Sequence, residues 1–408
     1  MATQTLNPPR MPIAIESRAL VPGPAAITGV VIALAAWYLS TAINWRQGAL
    51  FLVGAGAGVV LYHAAFGFTS SWRVFISDRR GAGLRAQMVM LAITCAVFFP
   101  LLASGSLFGQ PLRGSVSPVG VGVAAGAFIF GLGMQLGGGC ASGTLFSVGG
   151  GSARMLVTLF FFIIGSVIGT AHTPWWNAQP SFPATSVVAT MGPWIGLAVS
   201  LALFGGIAWV TRVAERKRHG HLVDETRSAT GPRWLKGPWP LVAGAVGLAA
   251  VNIATLTIGG RPWGVTSAFA LWGAKLFAAI GIDVASWPYW TAPAQAAALR
   301  SSVLMDVTSV MDFGIILGAL MAAILAGRFA PVWKVSNRSL AAAVVGGVLL
   351  GYGARIAYGC NIGAYFSGIA SGSLHGWLWL VAAFAGNIAG THLRPMFDLN
   401  VERTQTSC

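Results

Sequence analysis

Cys140 and Cys360 are the residues whose type and setting offer chemistry. Each is embedded in glycine, in GGGCASG at 137–143 and YGCNIGA at 358–364. A thiol is small and polarizable and donates only a weak S–H hydrogen bond, so it can hold a soft sulfur-bearing solute and still release it. Glycines such as Gly139 and Gly359 permit turns closed to other residues. A helix starting at such a turn aims unpaired N–H groups and the positive end of its dipole at whatever lies there, which suits an anion. Ser142 and Asn361 stand beside the thiols. Hydroxyls recur in the same paired way: FGFTSSW at 66–72 supplies Thr69 and Ser70, and WGVTSAF at 263–269 supplies Thr266 and Ser267. Glycine-rich helix contacts with cysteine as a small filler would explain one such string. They do not explain its recurrence beside polar residues.

Other polar residues in apolar surroundings are few. Arg355 lies five positions before Cys360, at the place Gln135 holds before Cys140. Two roles stay open for Arg355, attracting an anion or pairing with Asp306 or Asp312. Those aspartates, six apart on one span, suit either a proton relay or a structural partnership. Lys275 is expected to snorkel rather than to guide an anion. His172, His375 and His392 are scattered near span ends and suggest no metal site, and no cofactor is expected. Cys95 reads as core filler in an apolar span, and Cys408 as an incidental tail residue.

The elements that must position these residues are membrane helices. The chain is 55% hydrophobic and 9% charged, with mean hydropathy +0.72, far too little charge to cover a soluble protein of 408 residues. Runs near the ~20 residues that cross a bilayer recur at about 25–45, 48–66, 86–104, 118–136, 155–173, 191–210, 239–258, 303–327, 339–358 and 375–392. The net charge of +15 carries no nucleic-acid motif and no basic stripe with interleaved aromatics, so nucleic acid is excluded as a partner. The charge follows the positive-inside rule instead. Arg10, Arg18, Arg79, Arg80, Arg85, Arg212, Arg216, Lys217, Arg218, Arg227, Arg233, Lys236, Arg328, Lys334, Arg338 and Arg394 fall on one side when ten spans are threaded with both termini cytoplasmic. The opposite loops near 105–117, 174–190 and 281–299 are almost free of Lys and Arg. No removable signal peptide is expected before the first span.

The expected organisation is a cytoplasmic N-terminal tail at 1–24 and a first membrane half at 25–211 with its repeat core at about 48–174. A basic linker at 212–238, a second membrane half at 239–397 and a C-terminal tail at 398–408 follow. Comparison across the linker exposes an internal repeat. GLGMQLGGGCASG at 131–143 matches GYGARIAYGCNIG at 351–363 at four glycines and the cysteine. Downstream, Gly165, Gly169, Thr170 and Pro174 match Gly386, Gly390, Thr391 and Pro395. The first repeat begins at the second span and its partner at the seventh, so the halves have inverted topology. Segments at roughly 67–77, 140–150, 264–280 and 360–371 are too short or too polar to cross alone and are read as re-entrant half-helices meeting near the midplane. The fold class is therefore an all-α polytopic membrane protein of about 10 transmembrane helices plus half-helices in two inverted repeats, a transporter architecture.

GGGCASGTLFSVGGG, YGCNIGAYFSGIASGSLHGW and RPWGVTSAFALWGAK resemble the YeeE/YedE family of sulfur-transport proteins, and the resemblance covers both halves. It implies an inverted pseudo-symmetric helical protein narrowing toward its centre, with cysteines that relay thiosulfate by weak S–H contacts. Carried over by motif, Cys140 and Cys360 resemble two relay cysteines. Many family members have a further cysteine in an F-C-x-T-S-A pattern, where this chain has Gly67, with Gly264 at the repeat-related place. Thiosulfate is the leading cargo; another sulfur oxyanion, a sulfide-like species or a selenium compound remains compatible.

The expected function is a multi-pass transporter of a sulfur-containing anion in a bacterial plasma (inner) membrane, not an enzyme. The alternative is a membrane sulfurtransferase or sulfur/selenium-trafficking protein forming a cysteine persulfide, although no His accompanies either motif to activate the thiol. Membrane lipid is the expected partner, and the resemblance suggests a cytoplasmic sulfur-carrier protein as another. No P-loop motif appears in the sequence.

Overall fold

A computed structural model describes residues 22–223, 232–329, 331 and 335–402. Arg10, Arg18, Arg227, Lys334, Cys408 and most of both tails lie outside the described residues. Among the described residues, nine stretches are long and apolar enough to cross a bilayer. They contain α1 (Pro22–Ala42), α2 (Trp45–Ala64), α4 (Ala82–Ser104), α5 (Val121–Gly137), α7 (Ala153–Asn177), α9 (Pro193–His219), α11 (Leu241–Gly259), α15 (Val307–Leu325) and α16 (Asn337–Ile356). A tenth long helix, α18 (Leu374–Leu393), is more polar, carrying His375, Asn387, Thr391 and His392. Trp37, Trp45, Trp175, Trp194, Trp209 and Trp234 are exposed, a residue type enriched at membrane interfaces.

Between the long helices lie short ones: α3 (Phe68–Asp78), α6 (Ala141–Gly149), α12 (Thr266–Ala279), and a π-helical turn at Asn361–Phe366 that continues into α17 (Ser367–Ala370). At 1.5 Å per residue, the 11 residues of α3 reach about 16 Å, half of a ~30 Å hydrocarbon layer. The four re-entrant segments expected from the sequence are thus half-length, and α12, at 14 residues, is too short to cross. The remaining helices, α8 (Val187–Met191), α10 (Arg233–Lys236), α13 (Pro288–Thr291) and α14 (Pro293–Arg300), are loop elements. Two small antiparallel ladders, Ser106–Leu107 with Gln110–Pro111 and Val119–Gly120 with Ser181–Phe182, tie down loops between helices.

Helices α2 to α7 correspond to α11, α12, α15, α16, the Asn361–Ala370 segment and α18. Exchanging the halves maps one set of contacts on another: α2 on α15 becomes α11 on α4, α5 on α18 becomes α16 on α7, and α3 on α18 becomes α12 on α7. The α5–α16 contact maps on itself, so this pair sits on the pseudo-symmetry axis. An unpaired crossing, α9, separates the halves, which gives them opposite orientation. Helix α9 runs on to His219, so the start of the stretch read as linker is helical. Glu215 there accepts from Arg85 at 2.6 Å, Gly81 N at 3.1 Å and Val223 N at 3.0 Å, locking the end of α9 to the α3–α4 turn.

Small residues set how closely these helices approach. Gly54 and Gly58 of α2 face the backbone of Met311 and Ile315, while Gly314 and Gly318 of α15 face the backbone of Phe51 and Ala55. Each pair is a small-xxx-small spacing, and packing rather than water drives such contacts in lipid. A Cβ at any of the four would press on rigid backbone. Gly318→Leu is therefore expected to cost roughly 1–3 kcal/mol or to prevent assembly, read as a lowered unfolding midpoint in detergent. Gly56→Ala, where an added Cβ meets nothing within 4 Å, should leave the midpoint unchanged.

The C-terminal segment clasps α3. Arg73 donates from Nε and Nη2 to the two carboxylate oxygens of Glu402 at 2.6 Å each, and Ser77 Oγ donates to Glu402 O at 2.8 Å. Arg394 donates to Gln135 O at 2.6 Å and to Asn400 O at 2.7 and 2.9 Å. Burial raises the Glu402 carboxyl, but the Arg73 hydrogen bonds and charge more than offset it and hold the group below the ordinary glutamate range. A carboxyl depressed on folding contributes stability above its unfolded value and loses it as pH falls through the folded one. Protease cleavage after the clasp should therefore stay slow at neutral pH and accelerate below the usual glutamate range, with Glu402→Gln cleaved readily at both.

Candidate substrate pathway

Each thiol sits at the start of a half-helix. Cys140 is the N-cap of α6 and is 2% exposed; its Sγ accepts from Gly143 N at 3.4 Å and lies 3.4 Å from Ser142 Oγ. Thr144 Oγ1 donates to Cys140 O at 2.8 Å, fixing the first turn. Cys360 caps the π-helical turn and is fully buried; its carbonyl accepts from both Ala364 N and Tyr365 N. Gly359 adopts φ +150, a conformation that favours glycine, and an added Cβ would collide with Ala364 N. Gly138 and its repeat mate Tyr358 both take positive φ, +93 and +59. Tyr358 therefore occupies a left-handed position normally left to glycine, a site the repeat alignment held in plain view and the motif reading passed over.

The other three motif elements each touch the second Cys segment. Helix α6 contacts the π-helical turn, and Cys360 lies within electrostatic range of Cys140. The Phe68 ring of the first hydroxyl motif meets Tyr365 edge-on at 6.1 Å. Tyr365 in turn lies nearly parallel to Trp379 at 6.3 Å, and Trp379 Nε1 donates to Gly359 O at 3.1 Å. The loop before the second hydroxyl motif is bound to the second Cys segment. Ser367 Oγ donates to Trp263 O at 2.7 Å, and Asn252 Oδ1 accepts from Trp263 N at 2.8 Å.

The remaining candidates separate into those at the motif elements and those that brace them. Thr69 is buried with Oγ1 unpartnered, Ser70 Oγ donates to Gly67 O at 3.2 Å, and Thr266 is buried at the start of α12. Ser267 is more exposed and donates to Thr308 Oγ1 at 3.0 Å. Gln135 is a brace, donating to Thr69 O at 3.2 Å and Asn387 Oδ1 at 2.6 Å and accepting from Arg73. Arg355 pairs with neither aspartate: it donates to Tyr289 Oη at 2.9 Å and stacks over that ring at 5.0 Å. Asp306 instead meets Arg261 at 3.7 Å and caps α15 through Ser309 N at 2.8 Å. Lys275 reaches out of α12 to the end of α14, where its ammonium donates to the carbonyls of Leu299 and Ser301, both at 2.7 Å. His172, His375 and His392 are engaged by Tyr352, Ser373 and Ile388 O, and Cys95 Sγ lies 3.8 Å from Ile369 O.

Buried polar atoms without a protein partner gather on or against these elements. They include Thr69 Oγ1, Gln87 Nε2, Trp263 Nε1 and both amide atoms of Asn361. Most are donors. Each costs about 1–3 kcal/mol if nothing answers it, and an anion passing through would answer several at once. Gln87, whose Oε1 accepts from Trp72 at 3.0 Å and Tyr365 at 3.4 Å, and Trp263 were not singled out from the sequence. Trp263 aligns with Phe66 in the repeat, so only the environment reveals its free N–H.

Comparison with known proteins agrees with this architecture. The chain is 30% identical over 176 residues to the "Probable transporter YedE" of Escherichia coli K12, 43% of each chain, so it spans less than half of that relative. It is 27% identical over 356 residues to the "Thiosulfate transporter TsuA" of Spirochaeta thermophila, covering 82% of this chain and 95% of that one. The TsuA of Escherichia coli K12 is 26% identical over 357 residues, covering 82% and 91%. The sequence model described as "Sulphur transport" matches residues 63–389, and this all-α polytopic membrane protein belongs to that sulphur-transport family.

Proposed function

We propose that this chain transports a small sulfur-containing anion, thiosulfate, across a bacterial inner membrane, with both termini on the cytoplasmic side. The observation that carries the reading is the pair of buried thiols, each capping a half-helix from an opposite half of an inverted repeat. The helix ends attract negative charge by up to about half an elementary charge each. The thiols add only weak S–H contacts, and weak sites in series let a solute move on. Two relatives of nearly full coverage are named thiosulfate transporters, which supports that cargo. Anionic lipid headgroups are the natural neighbours of Arg212, Arg216, Lys217 and Arg218, and a soluble sulfur carrier would receive the cargo on that face.

Purified protein in proteoliposomes should take up labelled thiosulfate, with sulfate a poor competitor. Cys140→Ser and Cys360→Ser keep the size of the group and lose its softness, and each should lower initial uptake at least about tenfold, a barrier change of about 1.4 kcal/mol. Full uptake in both variants would sink the thiol relay. A second pair of variants tests the glycines. Gly67 has φ −103 and ψ 116, open to any residue, and an added Cβ would press only on the rotatable Ser70 hydroxyl. Gly67→Cys should therefore fold and retain uptake, whereas Gly359→Ala should lose it.

A further inference from the structure

Asp312 has no role in the reading above. It is fully buried, and neither carboxyl oxygen has a hydrogen-bond partner. A charged carboxylate with no cation and no donor is not tolerated at membrane depth, so the group rests as the neutral acid. The repeat supports this. Counted from the first residue of each helix, Asp312 is the sixth of α15 and Gln87 the sixth of the corresponding helix α4. Gln87 is also fully buried, so the first half holds a neutral amide where the second holds an acid.

The position is central. Helix α15 packs on α6, and α6 in turn touches the π-helical turn that Cys360 caps. Gly149, at the far end of α6, rests on Ile316 and Ala319, and Gly151 beyond it meets Phe329 and Pro331, so α6 and α15 run in the same sense and the α15 turn carrying Asp312 lies toward the α6 end that bears Cys140. One turn before Asp312 on the same face, Thr308 accepts from Ser267 Oγ at 3.0 Å and from Arg261 at 3.2 Å. The Arg261 side chain is 46% exposed, so this hydroxyl pair runs from the turn before Asp312 toward the surface, with no hydrogen bond joining it to the carboxyl. Charged and titratable groups around it are few. Asp306 acts on it from its own element and is engaged by Arg261. Cys140 caps the adjoining α6, which touches the π-helical turn capped by Cys360. Lys275 of α12 is held by two carbonyls, and α2 presents Phe51, Gly54 and Ala55 at this level. Of the other neighbours, α1 carries Tyr38, and α10 carries Arg233 and Lys236.

We propose that Asp312 is the proton-binding carboxyl of this transporter, loaded from the Arg261 side through Thr308 and Ser267, and that its proton travels with the sulfur anion passing Cys360. The proposal rests on the transport reading and adds its coupling ion. A proton from water on one side forms an O–H bond at Asp312, and that bond breaks when the proton is returned to water on the other side; no electrons are transferred. The charge brought in by the anion is partly offset by the proton that accompanies it.

Proteoliposomes containing a pH dye test this directly. For the wild type, an inward gradient of one pH unit, about tenfold in proton activity, should raise initial thiosulfate uptake several-fold, and adding thiosulfate should acidify the lumen. Asp312→Asn should lose both responses, and Asp312→Glu should keep them. Dicyclohexylcarbodiimide, which modifies protonated carboxyls in apolar surroundings, should label the Asp312 peptide of the wild type and block acidification. Thiosulfate uptake without proton movement, acidification by Asp312→Asn, or an unlabelled Asp312 peptide would each overturn the proposal alone. A wild type that moves no thiosulfate would overturn the transport reading and this inference together.

Discussion

A helix that stops partway through an apolar layer leaves its first N–H groups without intrahelical partners, and lipid offers them none. Four segments of this chain stop in that way, so their ends must be enclosed by protein. The long helices form the enclosure. Because α2 touches α15 and α5 touches α16 through glycine, and α4 packs on α11, the wall is tight enough to exclude lipid from the centre. The rings of Phe68, Trp72, Tyr365 and Trp379 close the remaining space around the half-helix starts. What is enclosed there is the N-terminal end of a half-helix and a buried thiol, contributed once by each half.

That arrangement answers two opposed demands. An anion must be drawn out of water, and it must also leave. A guanidinium at the centre would meet the first demand and fail the second. Arginines around the site are correspondingly engaged, Arg154 on the Leu136 and Gly137 carbonyls, Arg355 on Tyr289 and Arg73 on Glu402. Attraction is left to partial charges and to uncharged donors such as Thr69 and Trp263. The membrane potential makes the same point. Moving two negative charges against 100 mV costs about 4.6 kcal/mol, comparable to the gain from several hydrogen bonds, so deep binding would only add to the barrier.

Much of this was legible in the sequence because it is written in periods and repeats. Hydrophobic length gives the long helices, and the matched strings around Cys140 and Cys360 give the paired half-helices. Other features depend on distant partners and carry no local signal. Nothing near Arg355 predicts Tyr289, sixty-six positions away, as its partner. Lys275 reads as a surface-seeking lysine, yet its own stretch does not name Leu299 and Ser301 as the carbonyls it reaches. Gln135 matches Arg355 by alignment, yet one knits α3, α5 and α18 together while the other stays near an outer loop helix, α13. Alignment fixes where a residue stands along its helix, but not what the rest of the fold brings to it.

The departures from symmetry carry the most information about direction. A perfectly two-fold pathway would present the same chemistry to both faces and would have no built-in means of distinguishing them. Here the backbone scaffold is shared and the polar inserts differ. Thr69 is braced through its carbonyl by Gln135, whereas Ser267 reaches Thr308 and Arg261 lies close by. The first half buries the amide of Gln87 where the second buries the acid of Asp312. An amide and a protonated acid are near in size and polarity, so the scaffold accepts either without repacking. Only the acid can gain and lose a charge, and it lies in one half alone. Inversion thus provides two matched half-helix ends, and a single titratable group in one half is enough to make them inequivalent.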